Sequence, residues 1–137
     1  MIQFSKNYIL LSFFHLMTFT LSAGKLIISD RGAGSIKITN FDGSSSEVLI
    51  PSAGTNVRGI ATDLSIGIIF YSDNGSDIIY KTKMDGSERT AIIQSGLGFP
   101  ADITIDRFSK KIYWCDRNND RIECSDYNGN NRRTIIN

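Results

Sequence analysis

Carboxylates are the side chains of this chain best placed to do chemistry. Asp63 and Asp106 stand 43 residues apart, and so do Asp73 and Asp116, a regularity that could bring several acids around one divalent cation. Nucleophile-and-base chemistry has less to work with. The one histidine, His15, lies in an apolar N-terminal stretch, and without it no Ser-His-Asp triad, Cys-His pair or His-ligated metal site can form. An acid that returns at the same point of every unit has a plainer use, as a turn former and an acceptor for backbone N–H groups. That structural reading outweighs the metal one, so no metal ligand, cofactor or catalytic residue is assigned.

Two other groups carry covalent chemistry. A hairpin turning at Asn119-Asp120 would pair Asn118 with Arg121 and set Cys115 directly opposite Cys124, within reach of a disulfide if the pair is of the non-hydrogen-bonded type. The alternatives are two separate thiols or bonds to another domain. Asn74-Gly75-Ser76 is an N-glycosylation sequon, placed in a turn where a glycan at Asn74 would be exposed.

The elements that hold these residues are repeats. Ile27-Ile28-Ser29-Asp30, Phe70-Tyr71-Ser72-Asp73 and Tyr113-Trp114-Cys115-Asp116 recur every 43 residues, and the turns Asp42-Gly43, Asp85-Gly86 and Asn128-Gly129 keep the same interval. A period of roughly 40–50 residues belongs to propeller blades or helical arrays. Short apolar runs such as Ile68–Tyr71 and Ile112–Trp114, parted by Gly, Asn, Asp and Ser, favour strands. Two full sets of four are expected. They are Arg58–Asp63, Ile68–Asp73, Asp77–Lys83 and Arg89–Ile93, then Ala101–Asp106, Lys111–Asp116, Arg121–Asp126 and Arg133–Ile136. A first set has three strands, Lys25–Asp30, Ser35–Asn40 and Glu47–Ile50. Runs apolar on both faces suit a sheet sandwiched between neighbours.

Tyr113-Trp114-Cys115-Asp116, Arg121-Ile122-Glu123 and Tyr127–Arg133, with Gly96–Pro100 leading into Ile103–Asp106, resemble the YWTD or class B repeat of the low-density lipoprotein receptor family. The resemblance spans Lys25–Asn137. It implies an all-β chain, part of a six-bladed β-propeller with about three four-stranded blades, the first incomplete. The units run about 25–67, 68–110 and 111–137 of a repeat region 24–137. Six such units need about 258 residues, so the chain carries half a ring. It is then a truncated or fragmentary product, or a chain that completes its ring with another half-propeller.

The resemblance further implies a non-catalytic receptor segment of endocytic or Wnt co-receptor type. Its partners would be extracellular protein or peptide ligands and EGF-like modules. Ligand contacts would come from residues just after each YWTD-like motif, here Arg31, Asn74 and Arg117, and just before each innermost strand, here Arg58, Phe99 and Ala101. A repeat region that follows a leader directly is most like the Wnt co-receptor branch. The rival from another class is a six-bladed lactonase or lyase, in which acidic residues hold a metal.

Residues 1–23 read as a secretory signal peptide: Lys6, then an apolar stretch over Tyr8–Leu21, then Leu21-Ser22-Ala23 before Gly24. Ser12, His15, Thr18 and Thr20 make the stretch a poor membrane span, and no later segment could serve as one. The expected product is secreted. Removing Lys6 and His15 leaves 14 basic against 14 acidic side chains, a neutrality that argues against a nucleic-acid partner.

Overall fold

A computed structural model describes residues 19–22 and 24–137. Twelve strands fall into three antiparallel sheets, each a simple meander. The first holds β1 (Phe19–Ser22), β2 (Lys25–Asp30), β3 (Ser35–Asn40) and β4 (Glu47–Ile50). The second holds β5 (Val57–Asp63), β6 (Ile68–Asp73), β7 (Ile78–Lys83) and β8 (Thr90–Ile93). The third holds β9 (Pro100–Asp106), β10 (Lys111–Asp116), β11 (Arg121–Asp126) and β12 (Arg133–Ile136). These are the expected blades of a partial propeller, and the predicted strands start and end within a residue or two of the observed ones. Among the described residues no helix is long and apolar enough to cross a membrane.

The first blade has a fourth strand. Phe19–Ser22 pairs with β2 in the register Phe19↔Ile28 to Ser22↔Lys25, although these residues were read as the end of the leader. A chain cleaved before Gly24 keeps the three strands expected. The remainder of the leader, with Lys6 and His15, lies outside the described residues.

Packing between blades, not within them, makes the core. One cluster joins Ile27, Ile36 and Ile50 of the first blade to Val57, Ile60, Ile69 and Tyr71 of the second. The other joins Phe70, Ile79 and Ile93 of the second to Ile103, Ile112, Trp114 and Tyr127 of the third. The two seams are the same seam shifted by one repeat, since Ile27, Ile36 and Ile50 stand where Phe70, Ile79 and Ile93 stand. Polar contacts repeat as well. Ser29 Oγ donates to the Arg58 carbonyl at 3.1 Å, and Ser72 Oγ to the Ala101 carbonyl at 2.6 Å. Arg89 reaches back to the Ser52 carbonyl, and Arg132 to that of Ser95.

The turn glycines belong to this seam. Gly86 and Gly129 have φ of +81° and +84°, left-handed values that favour glycine. A Cβ on either would also lie 2.7 Å from the Leu49 carbonyl oxygen or 2.0 Å from that of Ile92, on the outer strand of the preceding blade. Any side chain here would force two sheets apart. Gly43, the same position in the first blade, has φ +80° and nothing within 4 Å.

The hairpin between β10 and β11 corrects the expected cysteine pairing. Arg117–Asn119 form a single 3-10 turn closed by Asp120 in the left-handed region at φ 48°, so Asp116, not Asn118, faces Arg121. Cys115 therefore lies opposite Ile122, and Cys124 opposite Tyr113. The cysteines are diagonal neighbours on one face, at a Cα spacing of about 7–8 Å, beyond the usual reach of a disulfide. Both are free thiols, Cys115 exposed and Cys124 buried.

Candidate functional site

The four-residue loops after β2, β6 and β10 open with Arg31, Asn74 and Arg117, and each closes on a left-handed residue, Gly34, Asp77 or Asp120. The aspartate that ends each motif anchors its own loop. Asp73 is buried and accepts from the backbone N–H of Thr55 at 3.3 Å, Asn56 at 2.8 Å and Gly75 at 3.1 Å, and from Ser76 Oγ at 2.7 Å. It thus ties the loop after β6 to the segment entering β5. Asp116 does the same for the third blade, accepting from Gly98 N at 2.9 Å and Asn119 Nδ2 at 2.6 Å. Asp30 takes Ala33 N at 3.1 Å and Lys37 Nζ at 2.6 Å.

The antiparallel register puts Asp63 and Asp106 at the opposite ends of their sheets from Asp73 and Asp116, so the four acids cannot share a cation. Among the described residues no three of His, Cys, Asp or Glu gather as a metal site. Asp63 is a seam residue. It accepts from Ser65 and, across the seam, from Lys110 Nζ at 2.9 Å and Tyr127 Oη at 3.0 Å. The Ser65 hydroxyl bond, with those from Lys110 and Tyr127, holds its carboxyl at a pKa of about 2, against an ordinary 3.8.

A depressed folded pKa means that the unfolded chain binds the proton first, so this contribution is whole above the ordinary value and is lost as pH falls towards 2. Its size is about 2 kcal/mol. Urea midpoints from about pH 6 to about pH 2 should therefore fall further for the native chain than for Asp63→Asn. Equal slopes would remove Asp63 from the seam.

Anchored in this way, the loops bring four of the six predicted ligand residues together. Phe99 is half-buried, with the guanidinium carbon of Arg58 4.9 Å from its ring centroid and that of Arg117 at 5.5 Å. Its φ of +114° is unusual for an aromatic residue and holds the ring in the mouth where the loops meet. Its carbonyl accepts from Arg117 N at 3.1 Å. Burial and the positive charges of Arg31 and Arg117 lower the pKa of Arg58, which places all three arginines in one field. Among the described residues neither Arg31 nor Arg117 is paired with a carboxylate. The cluster is thus a flat apolar ring under a surplus of forked cationic donors, suited to a carboxylate beside an apolar group.

The other two predicted residues stand behind it. Ala101 contributes its carbonyl to Ser72. Asn74 is buried, and with its amide oriented by the network its oxygen accepts from Arg58 Nε at 2.6 Å while its nitrogen donates to the Asn56 carbonyl. The expected exposed glycan acceptor is instead a buried support for Arg58. Asn56 went unpredicted, yet the repeat could have pointed to it, since it holds in the second unit the place of Phe99 in the third.

No family model matches the sequence, and no curated protein does. Among solved structures, the chain superposes on one from a nidogen/laminin complex with a TM-score of 0.79 at 30% identity, over 88% of this chain and 46% of that one. It superposes on a streptogramin B lyase with a TM-score of 0.72 at 20% identity, over 88% and 40%. A gluconolactonase from Xanthomonas campestris follows with a TM-score of 0.67 at 16% identity, over 82% and 43%. The last two likenesses show the fold alone. The chain spans less than half the length of each.

Proposed function

We propose that this chain is an extracellular propeller segment of YWTD type that binds protein or peptide ligands without catalysis, through the mouth formed by Arg31, Arg58, Phe99 and Arg117. The observation that carries the reading is the contact of two guanidiniums with the ring of Phe99, with a third in the same field. Such an anchor, aromatic and arginine together, is the composition of a binding hot spot. The likeness to a chain of a nidogen/laminin complex supports a protein partner, and the leader-like first 23 residues support secretion. By its resemblance to YWTD repeats it would be kin to the low-density lipoprotein receptor-related proteins, of endocytic or Wnt co-receptor type, with EGF-like modules as neighbours. The lactonase or lyase reading has fold likeness in its favour, but the recurring acids it would use are engaged with backbone amides, hydroxyls and Lys110.

Selection of a random displayed peptide library on the immobilised chain tests this. Recovered peptides should carry Asp or Glu next to an apolar residue and should be released by salt. Recovery of basic peptides, or of none above background, would contradict the assignment.

A further inference from the structure

Two asparagines of this chain stand before glycine, Asn74 and Asn128, the pairing in which a backbone nitrogen most easily reaches the side-chain amide, since the second residue has no side chain to crowd it. Their surroundings differ. Asn74 is buried, and the N–H of Gly75 is held by the Asp73 carboxylate at 3.1 Å, a charge-assisted bond that keeps the nitrogen occupied. Asn128 is exposed in the turn between β11 and β12, and the N–H of Gly129 makes only a neutral bond, to the Asp126 carbonyl at 3.0 Å.

That turn has two equivalents. Gly43 and Gly86 make the same bond, to the Asn40 and Lys83 carbonyls at 2.9 Å each, but follow Asp42 and Asp85. Glycine at 129 is imposed by the seam, where a Cβ would lie 2.0 Å from the Ile92 carbonyl oxygen. Asparagine at 128 is not. Asp42 and Asp85 accept from the backbone N–H of Ser44 and Ser87 in their own turns, each at 2.9 Å, whereas the amide oxygen of Asn128 accepts from Lys81 Nζ across the seam at 2.6 Å. An ammonium has donors only, so the oxygen of the amide, not its nitrogen, faces Lys81.

We infer that Asn128 is a site of spontaneous deamidation, promoted by Lys81 and directed by it to aspartate. The Gly129 nitrogen attacks Cγ of Asn128, and its proton passes through solvent to the amide nitrogen, which leaves as ammonia; a five-membered succinimide remains. Negative charge that gathers on Oδ1 during the attack meets the Lys81 ammonium, an oxyanion donor already in place. Water then opens the ring. Addition at Cγ, the carbonyl that Lys81 still polarises, breaks the bond to the Gly129 nitrogen and restores a normal backbone with a carboxylate at 128. Addition at the other carbonyl would insert a methylene into the backbone beside Gly129, where the Ile92 carbonyl leaves no room. The product is the acid that the first two units already carry at this turn, now ion-paired with Lys81 across the seam.

Peptide mapping by mass of the purified chain, stored at neutral pH, should show conversion at Asn128 well ahead of Asn74, with aspartate exceeding iso-aspartate. Lys81→Met should slow the conversion on the order of tenfold and raise the iso-aspartate share, while Lys81→Arg should stay close to the native chain. A lysine that merely steadied the turn would give the opposite sign, because its loss would loosen Gly129 and speed the reaction. An Asn128 that stays intact or reacts after Asn74, a Lys81→Met chain that converts as fast as the native one or faster, or a native product dominated by iso-aspartate would overturn the inference.

Discussion

Asp73→Ala should lower the stability of the chain by about 3–5 kcal/mol, more than any other single change at the loops. Four donors converge on this carboxylate, three of them backbone N–H groups from two separate loops. Alanine removes the acceptor shared by all four from a position where the native residue is 2% exposed, although Thr55, Gly75 and Ser76 themselves border solvent. Hydrogen bonds to a charged acceptor are worth about 1.5–3 kcal/mol each, and stranded buried donors cost a similar amount. A domain of this size has about 5–15 kcal/mol to lose. The loss should appear as a large drop in the urea midpoint. Asp42→Ala provides the contrast, because Asp42 is exposed and supports its own turn. If Asp73→Ala melted like Asp42→Ala, the motif aspartate would not be the anchor described.

Reversing charge at the mouth is the second large effect. Arg31→Glu combined with Arg117→Glu should weaken binding of an acidic selected peptide by about 100-fold, since two charge-assisted contacts are lost and two like-charge contacts appear. Both side chains are exposed, so the fold should tolerate the change. Arg58 is left in place because it supports Asn74 and packs on Phe99. Titration calorimetry beside a thermal melt separates the two effects. A native melt with undiminished affinity would move the ligand off this face.

What could be read in advance follows from the kind of interaction involved. Strand positions were legible because each is a short β-branched or aromatic run bounded by residues that set a turn, as Asp85-Gly86 bounds β7, and such signals are local. The interval of 43 residues carried the repeat, while the choice of Arg31, Arg58, Phe99 and Arg117 came from the resemblance to YWTD repeats. The cysteine pairing failed on a local detail. The turn after β10 has four residues and ends with Asp120 left-handed, as the turn after β6 ends with Asp77, and a two-residue Asn-Asp turn shifts the register by two. The burial of Asn74 was out of reach for another reason. It depends on Arg58 and Asn56, which meet it only when β5 lies beside β6. The seam clamp of Asp63 by Lys110 and Tyr127 joins residues 47 and 64 positions apart, a partnership between sheets that no local pattern encodes.

The proposed ligand site is the face around Phe99. An NMR titration of the isotope-labelled chain with the acidic peptide recovered by selection tests it most directly. Backbone amides of Arg31, Arg58, Phe99 and Arg117 should shift together, saturating with one affinity, while those of the outer strands β4, β8 and β12 stay in place. Shifts confined to the outer strands, with the four mouth residues unmoved, would place the ligand elsewhere.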